Sequence, residues 1–503
     1  MPFSIVNSIT AWFLKKRIHQ IKLFKKHPIE VQNEVLMNLI KCAKNTEIGK
    51  KYGFETIDDY ETFSNKVPVS TYEDFFKYIN RSIKGEENIF WNTEIKWYAQ
   101  SSGTTNSKSK FIPVSKESLE ECHYKAGKDV LCIYMNNNED SNLFSGKSLR
   151  LGGSKKIQNN GNKYFGDLSA ILIDNLPIWA ELMSAPNNEI SLMDKWDEKL
   201  NAIIKNTINE DVTSLAGVPS WMLIMINKIL AEKNIKSIKE IWENLEVYFH
   251  GGVDFKPYKN QFIKALGNNV RFYEIYNASE GFFAIQDRND KNDMLLMLDY
   301  GIYFEFQEFN SRSLKDNNQI VNLSKVKLNT NYAIIISTNA GLWRYKIGDT
   351  IKFTSLKPFR IQITGRTKNF INAFGEELII ENTDLALNKT LSKHNSTIFE
   401  YTVAPSFINK DKSGFHQWLI EFQKKPKNIS QFEKDLDLNL QKINTDYKAK
   451  RFKNITMSQL EIVEAKNNLF FNWLKLNNKL GGQNKVPRLS NDRKIIEELL
   501  KIN

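Results

Sequence analysis

Gln100-Ser101-Ser102-Gly103-Thr104-Thr105-Asn106-Ser107-Lys108-Ser109-Lys110-Phe111-Ile112-Pro113 is the stretch around which the 503-residue chain is organised. Short runs of strand character flank it, residues 95–98 before and 111–114 after, and the polar loop between them is dense in hydroxyls. Hydroxyl and backbone N–H donors suit anionic oxygens, Gly103 permits close approach of the backbone, and Lys110 sets a positive charge at the far end. The stretch lacks the Gly-Lys-Ser/Thr ending that opens a helix in a Walker loop. Taken alone, it also reads as an ordinary Ser/Thr-rich hairpin loop, so its meaning depends on what else the chain carries.

The length predicts one large domain, a smaller companion and a cleft between them. Hydrophobic residues at 41% and aromatics at 12% supply enough apolar surface to offset chain entropy, which excludes a disordered chain. Cys42, Cys122 and Cys132 are an odd, widely spaced set with no metal-ligand spacing to the six histidines; they read as reduced thiols of a cytoplasmic protein. The net charge of +12 is unevenly spread, because Lys15, Lys16, Arg17, Lys22, Lys25 and Lys26 fall in the first 28 residues, which hold no acid. Elsewhere lysines alternate with Asp and Glu and no aromatic-basic stripe occurs, so nucleic acid is not an expected partner.

The N-terminal apolar stretch precedes its basic residues and has no small-residue cleavage site, so it is neither a secretion signal nor a spanning helix. Ile18, Ile21 and Phe24 continue a helical stripe, and residues 8–26 predict an amphipathic basic helix that packs on the body or lies on an anionic membrane surface, packing being the commoner use. A second amphipathic helix starts at Pro28, and a third covers 119–134. Residues 148–151 and 164–168 flank Asn160-Gly161 and predict a hairpin. Helices are expected over 177–184, 194–208, 219–233 and 236–243, with a buried strand just before Pro219.

Strands at 246–249 and 271–276, separated by a helix near 257–266, form a βαβ pattern whose loops, His250-Gly251-Gly252 and Asn277-Ala278-Ser279-Glu280-Gly281, emerge at one sheet edge, where ligands bind. Beyond 282 a period of two in 294–298, 303–309, 333–338, 343–347 and 359–364 predicts an antiparallel sheet. Strands near 398–404 and 415–422, a helix from 430 to 448, a strand near 455–462 and a last helix from 490 complete a compact unit. The fold class is therefore α/β, with a large N-terminal domain of mixed sheets and helices over 1–365 and a small mobile α+β domain over 366–503.

Four separated loops are more specific together than any one alone: Ser101-Ser102-Gly103-Thr104-Thr105 with Lys110, Tyr276-Asn277-Ala278-Ser279-Glu280-Gly281, Trp343-Arg344-Tyr345-Lys346-Ile347-Gly348-Asp349, and Gly365-Arg366. In this order and at these distances they resemble the acyl-adenylate-forming superfamily, and within it the auxin-responsive promoter family of acyl-acid amido synthetases. The resemblance covers nearly the whole chain, including Gly217-Val218-Pro219-Ser220-Trp221 and Gly375-Glu376-Glu377-Leu378. It implies the same two-domain architecture, ATP and Mg²⁺ as cofactors, a small carboxylic acid and an amino acid as substrates, and a monomer. The acid would attack the α-phosphorus of ATP, pyrophosphate would leave, and an amine would take the acyl group. Phosphoryl chemistry asks mainly for positioning and charge neutralisation, which these residue types supply.

By the same resemblance Ser101, Ser102, Gly103, Thr104 and Thr105 would cradle the phosphates, with Lys110 as a catalytic charge near the departing pyrophosphate. Glu280 would hold Mg²⁺, a hard cation that takes one or two carboxylates; without the family it reads as a helix N-terminal acid. Tyr276, Asn277, Ala278 and Ser279 would line the adenine and α-phosphate, and Gly251-Gly252 would let the backbone pass close to the base; a tight turn is the plainer reading of the glycines. Asp349 would accept from the ribose hydroxyls, where Gly-Asp is otherwise just a turn. Arg366 would reach ribose or α-phosphate at the domain junction, or be a surface arginine. Lys485, in Gly481-Gly482-Gln483-Asn484-Lys485-Val486-Pro487-Arg488, would be the catalytic lysine brought in by the C-terminal domain, with Lys368 the second candidate and a solvated loop lysine the plain alternative for both.

Asn106-Ser107-Lys108 and the segment from Asn372 to Glu377 depart from the family pattern, the second bearing on substrate identity. His250 reads as a hydrogen-bonded structural histidine with catalysis as the alternative. By family position Cys122, His123, Lys125, the Val218-Pro219-Ser220 turn and residues around Phe282 would surround the acid. An acid:thiol ligase sharing the adenylation step and a non-catalytic membrane-surface protein are the competing readings.

Overall fold

The structure is a computed structural model that describes residues 16–101, 110–152, 158–160, 162–193, 195–252, 255, 258–309, 319–367, 370–371, 373–374, 376, 378–406, 414–451, 457–477, 479–480 and 485–503. A sheet of twelve strands dominates it. From one edge the order is Ile320–Asn322, Ile302–Glu308, Asn331–Thr338, Tyr345–Leu356, Phe359–Arg366, Met294–Leu296, Gly281–Ile285, Arg271–Ala278, Val247–Gly251, Val212–Gly217, Lys147–Leu151 and Ser184–Ala185. The last five of these pair in parallel and the others antiparallel. The change of hand falls at the tight turn between Ala278 and Gly281, which are register partners.

Strand Val247–Gly251 is buried throughout, as expected of a parallel strand covered on both faces, and helix Pro219–Lys233 starts with proline at its first turn where the missing N–H costs nothing. A second sheet, ordered Lys110–Val114, Trp97–Ser101, Lys163–Gly166 and Gln158–Asn160, carries the hydroxyl-rich loop as a hairpin connection, with Ser101 opposite Lys110. The loop itself, 102–109, lies outside the described residues. A C-terminal three-stranded sheet, Thr397–Ser406, Phe415–Lys424 and Glu461–Glu464, packs helices Ile380–Lys393 and Ile429–Ile443 around a core containing Trp418, Tyr401 and Leu436.

One expectation is overturned, and the sequence reading is refined or extended at two further points. Lys147–Leu151 is not a hairpin partner of the strand near 164; it lies in the large sheet beside Val212–Gly217, and the hairpin is instead Gln158–Asn160 with Lys163–Gly166. Strand pairing is a long-range choice that local turn chemistry does not decide. Helix 119–134 starts as a π-helical turn, Ser118–Tyr124, before the regular helix Lys125–Asn137. Helices Ile380–Lys393 and Leu469–Leu476 have no counterpart in the sequence reading; the second is only eight residues long, too short for its periodicity to tell it from a strand.

The basic N-terminal helix, residues 16–26 as described, is docked on the body, with Ile21 and Phe24 each 2% exposed. Arg17 Nε donates to Asp129 Oδ1 at 2.7 Å and Nη1 to Asp299 Oδ2 at 2.6 Å, while the Tyr300 hydroxyl donates to Asp129 Oδ2 at 2.7 Å. Lys25 pairs with Asp287 at 2.9 Å. These charges sit where water is excluded, so removing one partner strands the others. Asp129→Ala, which leaves Arg17 and Tyr300 short of an acceptor, is expected to lower stability by about 3 kcal/mol, read from the urea unfolding midpoint.

Candidate active site

A cleft of about 570 Å³ opens between the large sheet and the C-terminal unit, and most of the predicted ligand-binding residues line it. Its floor is the seam of the sheet. Strand Arg271–Ala278 ends in the cleft with Tyr276, Asn277 and Ala278, and the chain reverses over Ser279 and Glu280. Glu280 thus stands in a hairpin turn, which overturns its reading as a helix N-terminal acid. No helix dipole supports this carboxylate, which accepts from its own backbone N–H. Burial pushes it up to about 7; Asp349 adds to the rise, while Arg366 and Lys110 oppose it.

Asp349 is held at both of its carboxylate oxygens. Its Oδ2 accepts from the Tyr276 hydroxyl at 2.7 Å and its Oδ1 from Arg366 Nε at 2.8 Å. Asp349 and Arg366 are register partners on adjacent strands, Tyr345–Leu356 and Phe359–Arg366. Burial and then the neighbouring carboxylate hold the Tyr276 phenol in its protonated form, so it donates. The earlier residues of the same motif do structural work instead. Trp343 is buried against Phe54 with ring centroids 4.7 Å apart and donates Nε1 to the Phe90 carbonyl at 3.1 Å. Arg344 bonds the buried Glu305 through Nε and Nη2 and the Ser64 and Val67 carbonyls through Nη1. The pair pins the start of the strand, and Asp349 follows at a fixed distance.

Lys485 reaches the cleft from the C-terminal unit, and its ammonium donates to the Gly252 carbonyl. Burial pulls it down to about 8, with Arg366 adding to the fall and Asp349 opposing it. The two glycines have separate reasons. A Cβ on Gly252, whose φ is +83°, would lie 2.7 Å from Lys485 Nζ, whereas a Cβ on Gly251 would lie 2.4 Å from the Ile275 carbonyl oxygen of the next strand. Gly251 is therefore required by the sheet, and only Gly252 lines the cleft.

Among the other predicted residues, Ser101 ends its strand and Lys110 begins the next, with Lys110 Nζ 5.1 Å from the centre of the Tyr72 ring. Ser102, Gly103, Thr104, Thr105 and Lys368 lie outside the described residues. His250 lines the cleft and is 3% exposed; among the described residues its Nδ1 has no partner, its ring stacks on Phe255 at 3.9 Å, and burial pulls it down to about 3, so it is neutral. Lys125, expected near the acid, is spent on Asp299, donating to its carbonyl at 2.7 Å. Cys122 does reach Phe282, whose N–H donates to Sγ at 3.2 Å. Glu376, in a motif segment, is a buried structural acid 2.7 Å from His416 Nε2. Sequence reasoning assigned nothing to Asp384, Glu400 and Arg488, which also line the cleft, since a buried ion network has no local signature.

Residues 17–271, 295–366 and 381–494 match, in order, the GH3 family N-terminal domain, the GH3 family central domain and the GH3 family C-terminal domain. The chain belongs to the GH3 family. Its relatives include the indole-3-acetic acid-amido synthetase GH3.2 of Arabidopsis thaliana, 23% identical over 81% of this chain and 90% of that one. The 4-substituted benzoates-glutamate ligase GH3.12 of the same organism is 22% identical over 95% of this chain and 96% of that one. In fold the chain is similar to the GH3.15 acyl acid amido synthetase, with a TM-score of 0.80 at 16% identity over 97% and 95% of the two chains. A 2-hydroxyisobutyryl-CoA ligase shares the fold at a TM-score of 0.57 and 12% identity over 94% of this chain and 91% of that one.

In this GH3 chain the Lys485 amine titrates below its unfolded value of 10.5. Between about 8 and 10.5 the unfolded chain therefore binds the extra proton, so the cost of burying the ammonium is full below pH 8 and falls away as pH rises through that window. Acetylation of Lys485 by acetic anhydride, followed by mass spectrometry, is expected to show an inflection near pH 8.

Proposed function

We propose that this GH3 protein is an ATP-dependent acyl-acid amido synthetase. The carboxylate of a small acid attacks the α-phosphorus of ATP, the α,β-bridging P–O bond breaks, and pyrophosphate leaves a mixed acyl–AMP anhydride. An amine, in our reading that of an amino acid, then attacks the acyl carbon; AMP leaves with the C–O bond electrons and the nitrogen loses a proton. The observation that carries this reading is the convergence of Glu280, Asp349, Arg366 and Lys485 on one cleft from four separate stretches of chain.

Each group has a physical task. Asp349, held at both oxygens by Tyr276 and Arg366, presents a fixed acceptor suited to a ribose diol. Lys485 and Arg366 bring positive charge to where phosphate oxygens gain negative charge. Glu280 fits a cation: a half-buried carboxylate lining the cleft, raised by desolvation and by Asp349, is in the state that a bound Mg²⁺ relieves. Mg²⁺ held there would neutralise phosphate charge. Residues 1–365 would supply the nucleotide and acid sites and 366–503 the unit that delivers Lys485. The protein would be a cytoplasmic monomer, a reading that its free cysteines support.

The fold shared with a CoA ligase keeps a thiol acceptor as the second reading. ATP–pyrophosphate exchange with benzoate, indole-3-acetate and hexanoate tests adenylation, and comparing amino acids with coenzyme A as acceptors then decides between amide and thioester. Glu280→Gln and Asp349→Asn are each expected to lower exchange about 100-fold with the melting temperature nearly unchanged. Wild-type exchange in both variants would remove these two assignments.

A further inference from the structure

Arg488 stands three residues after Lys485 and takes part in no step above. Its Nη1 donates to both carboxylate oxygens of Asp384 at 2.9 Å, its Nε lies 3.6 Å from Glu400, and its guanidinium sits 5.2 Å from the centre of the Tyr401 ring. Tyr401 closes the cluster by donating its hydroxyl to Asp384 at 2.6 Å. Asp384 belongs to helix Ile380–Lys393, and Glu400 and Tyr401 to strand Thr397–Ser406, so the arginine is anchored to two elements of the C-terminal unit.

The backbone beside it is fixed as well. Val403 N–H donates to the Arg488 carbonyl at 2.8 Å, Ser490 N–H to the Val403 carbonyl at 3.1 Å, and Thr402 Oγ1 to the Pro487 carbonyl at 2.7 Å. Only Val486 and Pro487 separate this anchor from Lys485.

The cluster also touches the opposite wall. The Tyr258 hydroxyl donates to Glu400 Oε2 at 3.3 Å, and Gln261 Nε2 to the Ile398 carbonyl at 2.9 Å. Tyr258 precedes helix Lys259–Leu266 and is wholly buried beside strand Val247–Gly251, which ends one residue before Gly252, whose carbonyl meets the lysine. The arginine, its acids and the tyrosine thus connect the tether of Lys485 to the wall that Lys485 faces.

We propose that Arg488 is a positioning residue for Lys485: clamped by Asp384 and by Glu400, which Tyr258 ties to the large domain, it fixes the short tether that places the ammonium at the nucleotide end of the cleft. The proposal rests on the reading of Lys485 as the lysine of the adenylation step. A lysine has a flexible stem with much rotamer freedom, so its placement depends on how its backbone is held. Misplacing a catalytic charge by about 1 Å costs up to ~100-fold in rate.

The test compares Tyr258→Phe, which removes one hydroxyl and leaves the arginine paired, with Arg488→Lys, which keeps the charge but lacks the second nitrogen that faces Glu400 and the planar group that lies over Tyr401. Lys485→Ala and the double variant Tyr258→Phe/Lys485→Ala serve as references. Three quantities are read: pyrophosphate exchange with the most active of benzoate, indole-3-acetate and hexanoate; aminolysis of that acid's synthetic acyl adenylate, supplied directly; and acetic anhydride labelling of Lys485 in the intact protein. Both single variants are expected to lower the exchange kcat by about tenfold while KM for ATP stays within about twofold. Lys485 labels several-fold faster in them, aminolysis is unchanged, and Tyr258→Phe adds nothing once Lys485 is alanine. Wild-type exchange and labelling in both single variants overturns the proposal, as does a tenfold loss that multiplies with Lys485→Ala. Wild-type exchange in Lys485→Ala overturns the underlying reading and the proposal with it.

Discussion

A single carboxylate sets the geometry on which the rest of the cleft depends. Asp349 bonds Tyr276, yet their strands are separated in the sheet by Phe359–Arg366, Met294–Leu296 and Gly281–Ile285. Four interstrand steps on a flat sheet would span roughly 19 Å, well beyond the combined reach of the two side chains. The antiparallel half must therefore curl back over the seam at Glu280. The 2.7 Å bond between Tyr276 and Asp349 is the signature of that closure, and the Arg366 bond fastens the last strand to the same point. Cleft residues that the sheet order places far apart become neighbours through this curl.

The C-terminal unit is held against that platform in two ways. Apolar contact supplies the bulk: one hydrophobic cluster contains Leu215, Trp221 and Tyr248 of the body together with Leu419, Leu469 and Trp473 of the C-terminal unit, and Trp221 meets Phe471 at 6.2 Å between ring centres. Burial of this kind is strong but indifferent to direction. Orientation comes from the polar contacts at the edge of the cleft, Tyr258 with Glu400 and Gln261 with the Ile398 carbonyl, which have fixed geometry. The division matters because Lys485 is carried by the C-terminal unit while the Gly252 carbonyl that it meets belongs to the body.

The basic excess of the chain has an equally local explanation. Six of the positive charges fall in the first 28 residues, and the two best placed to report on their use, Arg17 and Lys25, are bound to Asp129, Asp299 and Asp287 of the body. Charge that resembles a surface for an anionic partner is in these two cases an internal fastening. Net charge constrains solubility and encounter, whereas the destination of any one charge depends on the fold.

The sequence by itself determined the βαβ unit of Val247–Gly251 and Arg271–Ala278, the antiparallel run beyond residue 282 and the proline start of Pro219–Lys233. Each of these rests on signals confined to a few adjacent residues: periodicity, a ring that fixes φ, or glycine beside polar side chains. The tertiary structure alone decided that Lys147–Leu151 joins the large sheet, that Glu280 occupies a hairpin at the seam, and that Trp343 and Arg344 brace a motif whose last residue lines the cleft. It alone placed Arg488 among Asp384, Glu400 and Tyr401. Strand partnership and buried ion pairing are contacts between residues distant in the chain, paid for by water excluded from both sides at once, and no local pattern records which partner will be there.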